Sequence, residues 1–268
     1  MKVSNQKALA AAISAARAAG KLMRQNHRTK KNINSETQHD VKLELDVRCQ
    51  KLMEKMLDRT FPEISVLGEE GESGDANSEY RWVIDPIDGT VNFSYEIPHC
   101  CVSIAMQVRR QNSGVRSLEK SDYKTLIGVV YDPFCDELWT AIRGQAAKLN
   151  GKTIRVSKRN RLENSILSVG FGKSKKSVKT GLLFFTKLLK RVRKVRMMGS
   201  AALALVYVAS GRLDAYVESH ISLWDIAAGG LILECAGGEF WNRPIQGKHA
   251  YQILANNGQL RRQVERLR

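Results

Sequence analysis

One stretch organises this chain, Trp82-Val83-Ile84-Asp85-Pro86-Ile87-Asp88-Gly89-Thr90. Its apolar residues predict the end of a buried strand, and the proline and glycine after them predict that the strand stops there. Asp85 and Asp88 stand at this break, and carboxylates are almost never buried without a partner. A hard divalent cation with oxygen ligands would be such a partner. Gly89 and Thr90 could open a helix whose free N–H groups face an anion. The stretch predicts a metal ion and a phosphate at one strand end, although alone it also fits a well-capped turn.

The composition is that of an ordinary globular protein. The chain has 268 residues, 43% hydrophobic and 26% charged, which suits one large domain or two intimate lobes. No segment approaches about 18 uninterrupted apolar residues, so we expect no membrane span. Five cysteines without a CxxC pair or zinc spacing suggest reduced thiols in a cytoplasm; they are Cys49, Cys100, Cys101, Cys135 and Cys235.

The net charge of +16 is concentrated in one region. No acidic residue occurs between Glu163 and Asp214, whereas residues 173–196, here called the basic stretch, are rich in lysine and arginine. One interpretation is a surface for a polyanion, either nucleic acid or an anionic membrane surface. The other is a solvated helix face around an apolar core face, which we favour because no aromatic residues interleave with the charges for base stacking. The apolar residues concerned are Leu182, Leu183, Phe184, Phe185, Leu188 and Leu189.

Hydrophobic periodicity predicts a mixed, layered α/β protein. Strands dominate the first half of the chain, and strands and helices alternate in the second. Residues 109–124 are polar and predict a hairpin insertion, and Asn150-Gly151 predicts a turn between strands. We expect helices at about 7–26, 40–61, 179–192 and 200–210, after Trp224 and from 259, and strands at 65–67, 81–84, 102–108, 126–131, 137–142, 166–169, 215–217 and 252–255.

Three further acidic segments add to the first, and each has a simpler alternative. Glu69 and Glu70 follow a predicted strand, where an exposed acidic turn is the better explanation of the local pattern alone. Asp225 precedes an apolar helix and would serve as its N-cap. Asp46 lies in or before the second helix, where a solvated helix face suffices.

Together, in this order and spacing, the segments resemble the signatures of the inositol monophosphatase family of magnesium-dependent phosphatases. The resemblance covers about residues 5–258. Because it begins at the first predicted helix, we interpret the acid-free, Ala- and Arg-rich N-terminus as part of the fold and not as a transit peptide. The matching segments are Gly68-Glu69-Glu70, residues 82–93, Gly199-Ser200-Ala201-Ala202, Glu218, residues 223–229 and Gly237-Gly238.

The resemblance implies an αβαβα layered sandwich of the inositol monophosphatase and fructose-1,6-bisphosphatase type, usually a homodimer. It implies a single domain over residues 1–268, with an N-terminal lobe of about 1–150 that carries the metal motifs and a C-terminal lobe of about 151–268. It also implies two Mg²⁺ ions and allows a third. Glu69, Asp85 and the backbone carbonyl of Ile87 would bind the first ion, and Asp85, Asp88 and Asp225 would bind the second.

The resemblance also assigns catalytic and substrate-binding roles. Glu69 and Thr90 would position or deprotonate the attacking water, and Asp46 would support a weaker third metal. One departure is Ser35, where animal members of the family have a lysine, although Lys30 or Lys31 could take its place. The substrate-binding positions would be Asp88, Gly89, Thr90, Ala201, Glu218 and Asp225.

The implied activity is hydrolysis of inositol monophosphate, a small phosphorylated substrate, to inositol and phosphate. Two metal ions would assist the in-line attack of water, and the enzyme would be cytoplasmic and sensitive to lithium. The same chemistry on histidinol phosphate, fructose 1,6-bisphosphate or a nucleotide 3′-phosphate is an alternative. A further alternative is an additional role in which residues 173–196 contact RNA or a ribonucleoprotein.

Overall fold

The structure is a computed structural model that describes residues 3–37, 40–75, 77–110, 123–172 and 175–267. The predicted insertion at 109–124 lies largely outside these residues, and so does Lys173 of the basic stretch. The helices are α1 (Asn5–Asn26), α2 (Glu44–Asp58), α3 (Thr90–Ser94), α4 (Lys175–Leu189), α5 (Ala201–Ala209), α6 (Leu223–Cys235) and α7 (Arg261–Glu265), with a 3₁₀ turn at Leu162–Asn164. The strands are β1 (Ile33–Thr37), β2 (Asp40–Leu43), β3 (Ser65–Gly68), β4 (Gly71–Ser73), β5 (Tyr80–Asp88), β6 (Cys101–Arg109), β7 (Tyr123–Asp132), β8 (Glu137–Ile142), β9 (Lys148–Leu149), β10 (Lys152–Thr153), β11 (Ile166–Val169), β12 (Lys194–Arg196), β13 (Ala215–Ser222), β14 (Glu239–Pro244) and β15 (Ala250–Asn256).

Two main sheets form the framework. In the part of the chain that the structure describes, the large sheet has the strand order β10-β9-β8-β7-β6-β5-β3-β4, and the small sheet has the order β12-β11-β13-β15-β14. Strands β1 and β2 pair with each other beside them. Only the β3–β5, β11–β12 and β11–β13 pairings are parallel among the described strands, so the architecture is mixed.

Three apolar cores separate five layers. The first core lies between helices α1 and α2 and one face of the large sheet. The second fills the space between the large sheet, helices α5 and α6, and the small sheet. The third lies between the small sheet and helices α4 and α7. Helices α5 and α6 are apolar on every side because they are buried between two sheets. The predicted αβαβα sandwich is therefore confirmed.

Among the predicted element boundaries that differ from the structure, two have a clear physical cause. Residues 40–43, predicted as the start of a helix, form β2, and α2 begins only at Glu44. Pairing with β1 stabilises this extended segment, which helical periodicity alone could not show. Strand β5 was expected to stop before Pro86, but it runs on to Asp88. The proline is tolerated because the pairing with β6 is interrupted at that point.

This interruption is a β-bulge, and it determines to which face of the sheet the side chains of Asp85 and Asp88 point. Asp85 pairs with Ser103 and Asp88 with Cys101, so β5 has one residue more than β6 between these two pairs. Side chains alternate between the faces of a strand, and residues three apart would normally point in opposite directions. The extra residue resets the alternation. The two carboxylates therefore point to the same side, while the Ile87 side chain is buried in the core beneath α1 and α2.

Among the described residues, no helix is long and apolar enough to cross a membrane. The Asn150-Gly151 turn is confirmed, since it joins the paired strands β9 and β10.

Candidate active site

A cleft of about 480 Å³ opens between the large and small sheets. Its lining includes nearly all of the predicted site residues, whereas Asp46 is absent from the lining that the structure describes. Within the cleft, Asp85, Asp88 and Asp225 each place one carboxylate oxygen within 4.8 Å of the others. The predicted residues that line it are Glu69, Asp85, Ile87, Asp88, Gly89, Thr90, Ala201, Glu218 and Asp225.

Asp88 is held by the first turn of α5. Its Oδ2 accepts hydrogen bonds from the Ser200 hydroxyl at 2.6 Å and the Ala202 N–H at 2.7 Å, and its Oδ1 accepts one from the Ala201 N–H at 3.1 Å. The Cys101 thiol also lies 3.7 Å from Oδ2. The end of β5 is thus joined to a helix more than one hundred residues away, with most of the bonding on one oxygen. The other oxygen can face a cation.

Asp225 is held at the start of α6, but not as the predicted N-cap. The cap is Ser222, and Asp225 occupies the third helical position, where its Oδ2 accepts a hydrogen bond from the Ser222 N–H at 2.9 Å. Such reciprocal capping is common at helix starts. The Ser103 hydroxyl of β6 donates to the Trp224 carbonyl at 3.1 Å and ties this end of the helix to the large sheet. The helix start therefore fixes Asp225 beside Asp85.

Glu69 lies in the tight turn between β3 and β4. The side chain of Gln50 in α2 is hydrogen-bonded to this turn. The Gln50 side chain accepts from the Glu70 N–H at 3.0 Å and donates to the Gly71 carbonyl at 3.1 Å. Gly68 leaves room for that amide, because an added Cβ would lie 2.3 Å from it. Glu69 and Glu70 are half-buried, so the exposed acidic turn that the local pattern favoured is wrong.

Burial and mutual repulsion raise the pKa values of the clustered carboxyl groups. Burial raises the pKa of Asp85 most, and the charges of Glu69, Asp88 and Asp225 raise it further. Burial also raises the pKa of Asp88, against the lowering effect of its donors from α5. For Asp225, burial and the charge of Asp88 act together to raise the pKa. Each of these carboxyl groups is therefore harder to ionise than an exposed one when no cation is bound.

Asp46 lies behind the cleft and is buried, with 1% of its surface exposed. Its Oδ2 accepts a hydrogen bond from the Leu43 N–H at 2.7 Å, while its Oδ1 is buried and has no hydrogen-bond partner among the described residues. Burial, followed by the charges of Glu69 and Glu70, raises the pKa of Asp46 to about 8. The solvated helix face considered for this residue is therefore wrong. Its orphaned oxygen is suited to a cation or a proton.

Thr90 and Ile87 are hydrogen-bonded to each other at the end of β5. The Thr90 hydroxyl donates to the Ile87 carbonyl at 2.9 Å, and that carbonyl keeps a second lone pair. Gly89, the residue before α3, has φ 96°, a left-handed conformation that favours glycine. An added Cβ there would lie 3.0 Å from the His99 carbonyl. A glycine is therefore required at this turn.

The predicted substrate-side residues come from the small-sheet side of the cleft. The carboxylate of Glu218 accepts a hydrogen bond from the hydroxyl of Tyr216, and it lies over Gly170, where a side chain would push the carboxylate aside. The Ala201 N–H is already bonded to Asp88. Lys31, considered as a replacement for the lysine missing at Ser35, donates instead to the carbonyls of Asn26 and Thr29. Neither Lys30 nor Lys31 lines the cleft.

The donor set fits a hard metal cation. Three carboxylates converge within 4.8 Å, and no lysine or arginine is found among the described residues that line the cleft. Carboxylate and carbonyl oxygens are the ligands that Mg²⁺ and Ca²⁺ take in proteins. A bound cation would neutralise carboxylates whose pKa values burial has raised. The site is therefore built for a metal ion.

The basic stretch forms α4, the loop after it and β12. Seven lysine and arginine side chains of this stretch are described and exposed. None of them lies within 4.0 Å of a described carboxylate. The expected apolar core face is only partly right, because Phe184 and Leu188 are buried, whereas Leu182, Leu183 and Leu189 are more than half exposed. The cations are Lys179, Lys187, Lys190, Arg191, Arg193, Lys194 and Arg196.

Sequence reasoning missed several residues that position the site. Ser200 precedes an apolar helix and could have been predicted as its N-cap, but nothing local indicates that its hydroxyl reaches Asp88. Gln50 and Tyr216 carry no motif. Their roles arise from contacts between distant segments.

Comparison with known proteins agrees with this geometry. The sequence model described as the inositol monophosphatase family matches residues 4–260. Nus factor SuhB of Escherichia coli K12 is 35% identical over 249 residues, which cover 91% of this chain and 88% of that protein. Inositol monophosphatase 1 of Solanum lycopersicum is 37% identical over 237 residues, which cover 86% of this chain and 82% of that protein. The crystal structure of the suhB extragenic suppressor protein from Bartonella henselae superposes with a TM-score of 0.85 at 32% identity, covering 96% of each chain.

Proposed function

This chain belongs to the inositol monophosphatase family, and from that membership we propose that it is a Mg²⁺-dependent phosphomonoesterase that hydrolyses inositol monophosphate to inositol and phosphate. The observation that carries the proposal is the convergence of Asp85, Asp88 and Asp225 within 4.8 Å in a cleft large enough for a small phosphorylated substrate. A relative named inositol monophosphatase supports the substrate.

The proposed metal ligands are those that the family resemblance implies, and the convergence of Asp85, Asp88 and Asp225 supports them. Asp85, Asp88 and Asp225 would hold one Mg²⁺, and Glu69 and the Ile87 carbonyl would share Asp85 with another. The orphaned Oδ1 of Asp46 would support a third, weaker ion. When bound, the cations would neutralise the phosphate and lower the pKa of the attacking water.

The side chains and backbone groups of the cleft would activate the attacking water and bind the substrate. Glu69 would accept the proton of the attacking water, and the Thr90 hydroxyl, fixed by its bond to the Ile87 carbonyl, would orient that water. The N–H groups of Gly89 and Thr90 would face the phosphate. Glu218, held by Tyr216, would accept a hydrogen bond from a hydroxyl of the alcohol, and Ala201 would line the same side.

A panel of phosphate esters tests the substrate. With Mg²⁺ present, we expect a higher kcat/KM for inositol 1-phosphate than for histidinol phosphate, fructose 1,6-bisphosphate or a nucleotide 3′-phosphate. Li⁺ should inhibit the turnover, whereas the same concentration of K⁺ should not. Slower hydrolysis of inositol phosphate than of histidinol phosphate would make the substrate assignment wrong.

The metal assignment has its own test. Asp88→Asn should abolish turnover and weaken Mg²⁺ binding at the position shared with Asp85 and Asp225, while leaving the circular dichroism spectrum unchanged. Asp58→Asn, an exposed aspartate of α2, is the matched control and should keep full activity. Full activity in the Asp88→Asn protein would exclude the proposed site.

A second function is favoured by the basic stretch. We propose that it binds RNA or a ribonucleoprotein, because its seven exposed cations have no described carboxylate partner and because relatives carry the name Nus factor SuhB. The affinity for RNA should fall steeply with salt, since each phosphate contact releases counterions. Replacing Lys187, Lys190 and Arg191 by alanine should flatten that dependence. The same change at Lys21, Lys51 and Lys55 of α1 and α2 is the control, and absence of binding at low salt would remove the proposal.

We further propose a homodimer, by likeness to the family, and a cytoplasmic location, since each of the five cysteines is a free thiol. Light scattering during size-exclusion chromatography tests the dimer.

A further inference from the structure

His220 occupies a bulge in β13. In the pairing of β13 with β15, Ser219 is opposite Gln252 and Ile221 is opposite Tyr251, so His220 has no partner across the ladder. Its φ is 77°, in the left-handed region that glycine adopts without strain. Bulges of this kind are common beside active sites, where they redirect a side chain. A histidine in this conformation points to a function for its side chain.

The redirected side chain belongs to the cleft. His220 is exposed, lines the same cavity as the three aspartates and Glu218, and lies beside Gly247, where an added Cβ would come within 4.0 Å of the imidazole Nε2. It is the sole basic side chain of the cleft within the ranges that the structure describes. The other ionisable side chains among the described residues that line the cleft are carboxylic acids and one tyrosine.

Most hydroxyl donors of the cleft are already in use. The Thr90 hydroxyl donates to the Ile87 carbonyl at 2.9 Å, and the Ser200 hydroxyl donates to Asp88 at 2.6 Å. The Tyr216 hydroxyl donates to Glu218. The imidazole of His220 carries an N–H whether it is neutral or charged. It is therefore suited to donate a hydrogen bond to a ligand in the cleft.

We propose that His220 determines substrate specificity by donating a hydrogen bond to a hydroxyl oxygen of the alcohol, beside the hydroxyl that donates to Glu218. An acceptor at Glu218 and a donor at His220, two residues apart on one strand, would recognise two hydroxyls of the same alcohol. This inference rests on the proposed phosphatase function.

The test compares His220→Gly with wild type on two esters. Inositol 1-phosphate has the hydroxyls, and phenyl phosphate lacks them. Glycine keeps the bulge conformation, so the variant should fold with an unchanged or higher Tm. We expect kcat/KM for inositol 1-phosphate to fall about tenfold, mainly through KM, because one hydrogen bond is lost. The value for phenyl phosphate should stay within about twofold.

Two variants separate this role from a structural one. His220→Asn should restore most of the lost kcat/KM, because asparagine tolerates the left-handed conformation and keeps an N–H donor. Glu96→Gly is the matched control, since Glu96 is exposed, has φ 59° and lies outside the cleft lining. It should leave the ratio of the two esters unchanged. Equal losses on both esters, or no loss on either, would overturn the proposal.

A binding measurement keeps the inference separate from the phosphatase assignment. The His220 imidazole signal, assigned by its loss in the His220→Gly spectrum, should shift when myo-inositol, inorganic phosphate and Mg²⁺ are added together. If wild type hydrolyses neither ester, the phosphatase proposal fails, and this titration alone decides the contact. An unshifted signal would refute the role of His220 whatever the activity.

Discussion

Asp88 is the residue at which the two halves of the chain meet. It ends β5 in the large sheet, yet its donors are Ser200, Ala201 and Ala202 of the α5 start. Burial of a carboxylate is costly without such donors. The same bonds that offset this cost also direct one oxygen towards the metal site. The position of a carboxylate that we propose as a metal ligand therefore depends on helix capping in the other half of the chain.

Ser200→Ala tests this coupling. The substitution removes the N-cap of α5 and the hydrogen bond to Asp88, so the free energy of unfolding should fall by about 1–2 kcal/mol. Residues that support a metal ligand typically contribute about 10–100-fold to affinity or activity, and we expect turnover to fall in that range. Urea unfolding and the Mg²⁺ dependence of turnover are the measurements.

Ser4→Ala is the control for this variant. Ser4 caps α1 by accepting a hydrogen bond from the Lys7 N–H, and it is not one of the residues that line the cleft. Its loss should cost about 1 kcal/mol or less with activity intact. If both variants keep full activity, Ser200 is only a helix cap.

At the scale of elements, the site depends on how closely α6 approaches the large sheet. Gly128 of β7 lies against the backbone of Ala228 in α6, and an added Cβ would be 2.7 Å from the Ala228 carbonyl oxygen. Asp225 lies at the start of the same helix. The missing side chain at Gly128 therefore allows α6 to place Asp225 beside Asp85.

Gly128→Ala should separate the helix from the sheet. Overpacking of this kind costs about 1–3 kcal/mol, and we also expect a weaker response of turnover to Mg²⁺ because Asp225 moves away from Asp85. Gly144→Ala is the comparison, since an added Cβ there meets nothing within 4 Å and only its φ of 86° is unfavourable. That variant should lose stability without any change in Mg²⁺ dependence. Equal Mg²⁺ dependence in both proteins would count against this account.

The whole molecule places a group of acidic side chains between its two sheets. We propose that both halves fold as one domain, because the second core contains residues of the large sheet, α5, α6 and the small sheet together. The buried carboxyl groups weaken that assembly when they ionise. A cation between them would strengthen it.

The metal-free protein should therefore become less stable as the pH rises. The pKa of Asp46 is about 8 in the folded state, against about 4 for an aspartate in an unfolded chain. Below pH 4 the group is protonated in both states. Between about pH 4 and 8 the unfolded state loses the proton first, so the free energy of unfolding falls as the pH rises.

Thermal unfolding in EDTA at pH 5 and pH 8 checks this prediction. The Tm of wild type should be lower at pH 8, and Asp46→Asn should reduce the difference, whereas Asp58→Asn should not. Mg²⁺ should raise the Tm more at pH 8 than at pH 5, since the cation binds carboxylates that have lost their protons. A Tm that rises between pH 5 and pH 8 in EDTA would contradict the argument.

Local sequence was enough for most of the helices and longer strands. Apolar periodicity located helices such as α1 and strands such as β6 and β11, because burial of one face imposes a period on the residues that form it. It failed where long-range pairing overrode the local pattern, as in β2. Each of the acidic segments at 69, 85–88 and 225 had a simpler local explanation, and they predicted a metal site only when taken together in their order and spacing.

Only the tertiary structure decided how those side chains meet. The bulge in β5 turns Asp85 and Asp88 to one side, the α5 start holds Asp88, and the bulge in β13 turns His220 into the cleft. None of these follows from the sequence alone, because strand register and helix docking depend on contacts between segments that are separated in the chain, by more than one hundred residues in the case of Ser200 and Asp88. Residue types set the possible chemistry, whereas the distances between their atoms are set by the packing of two sheets around buried helices.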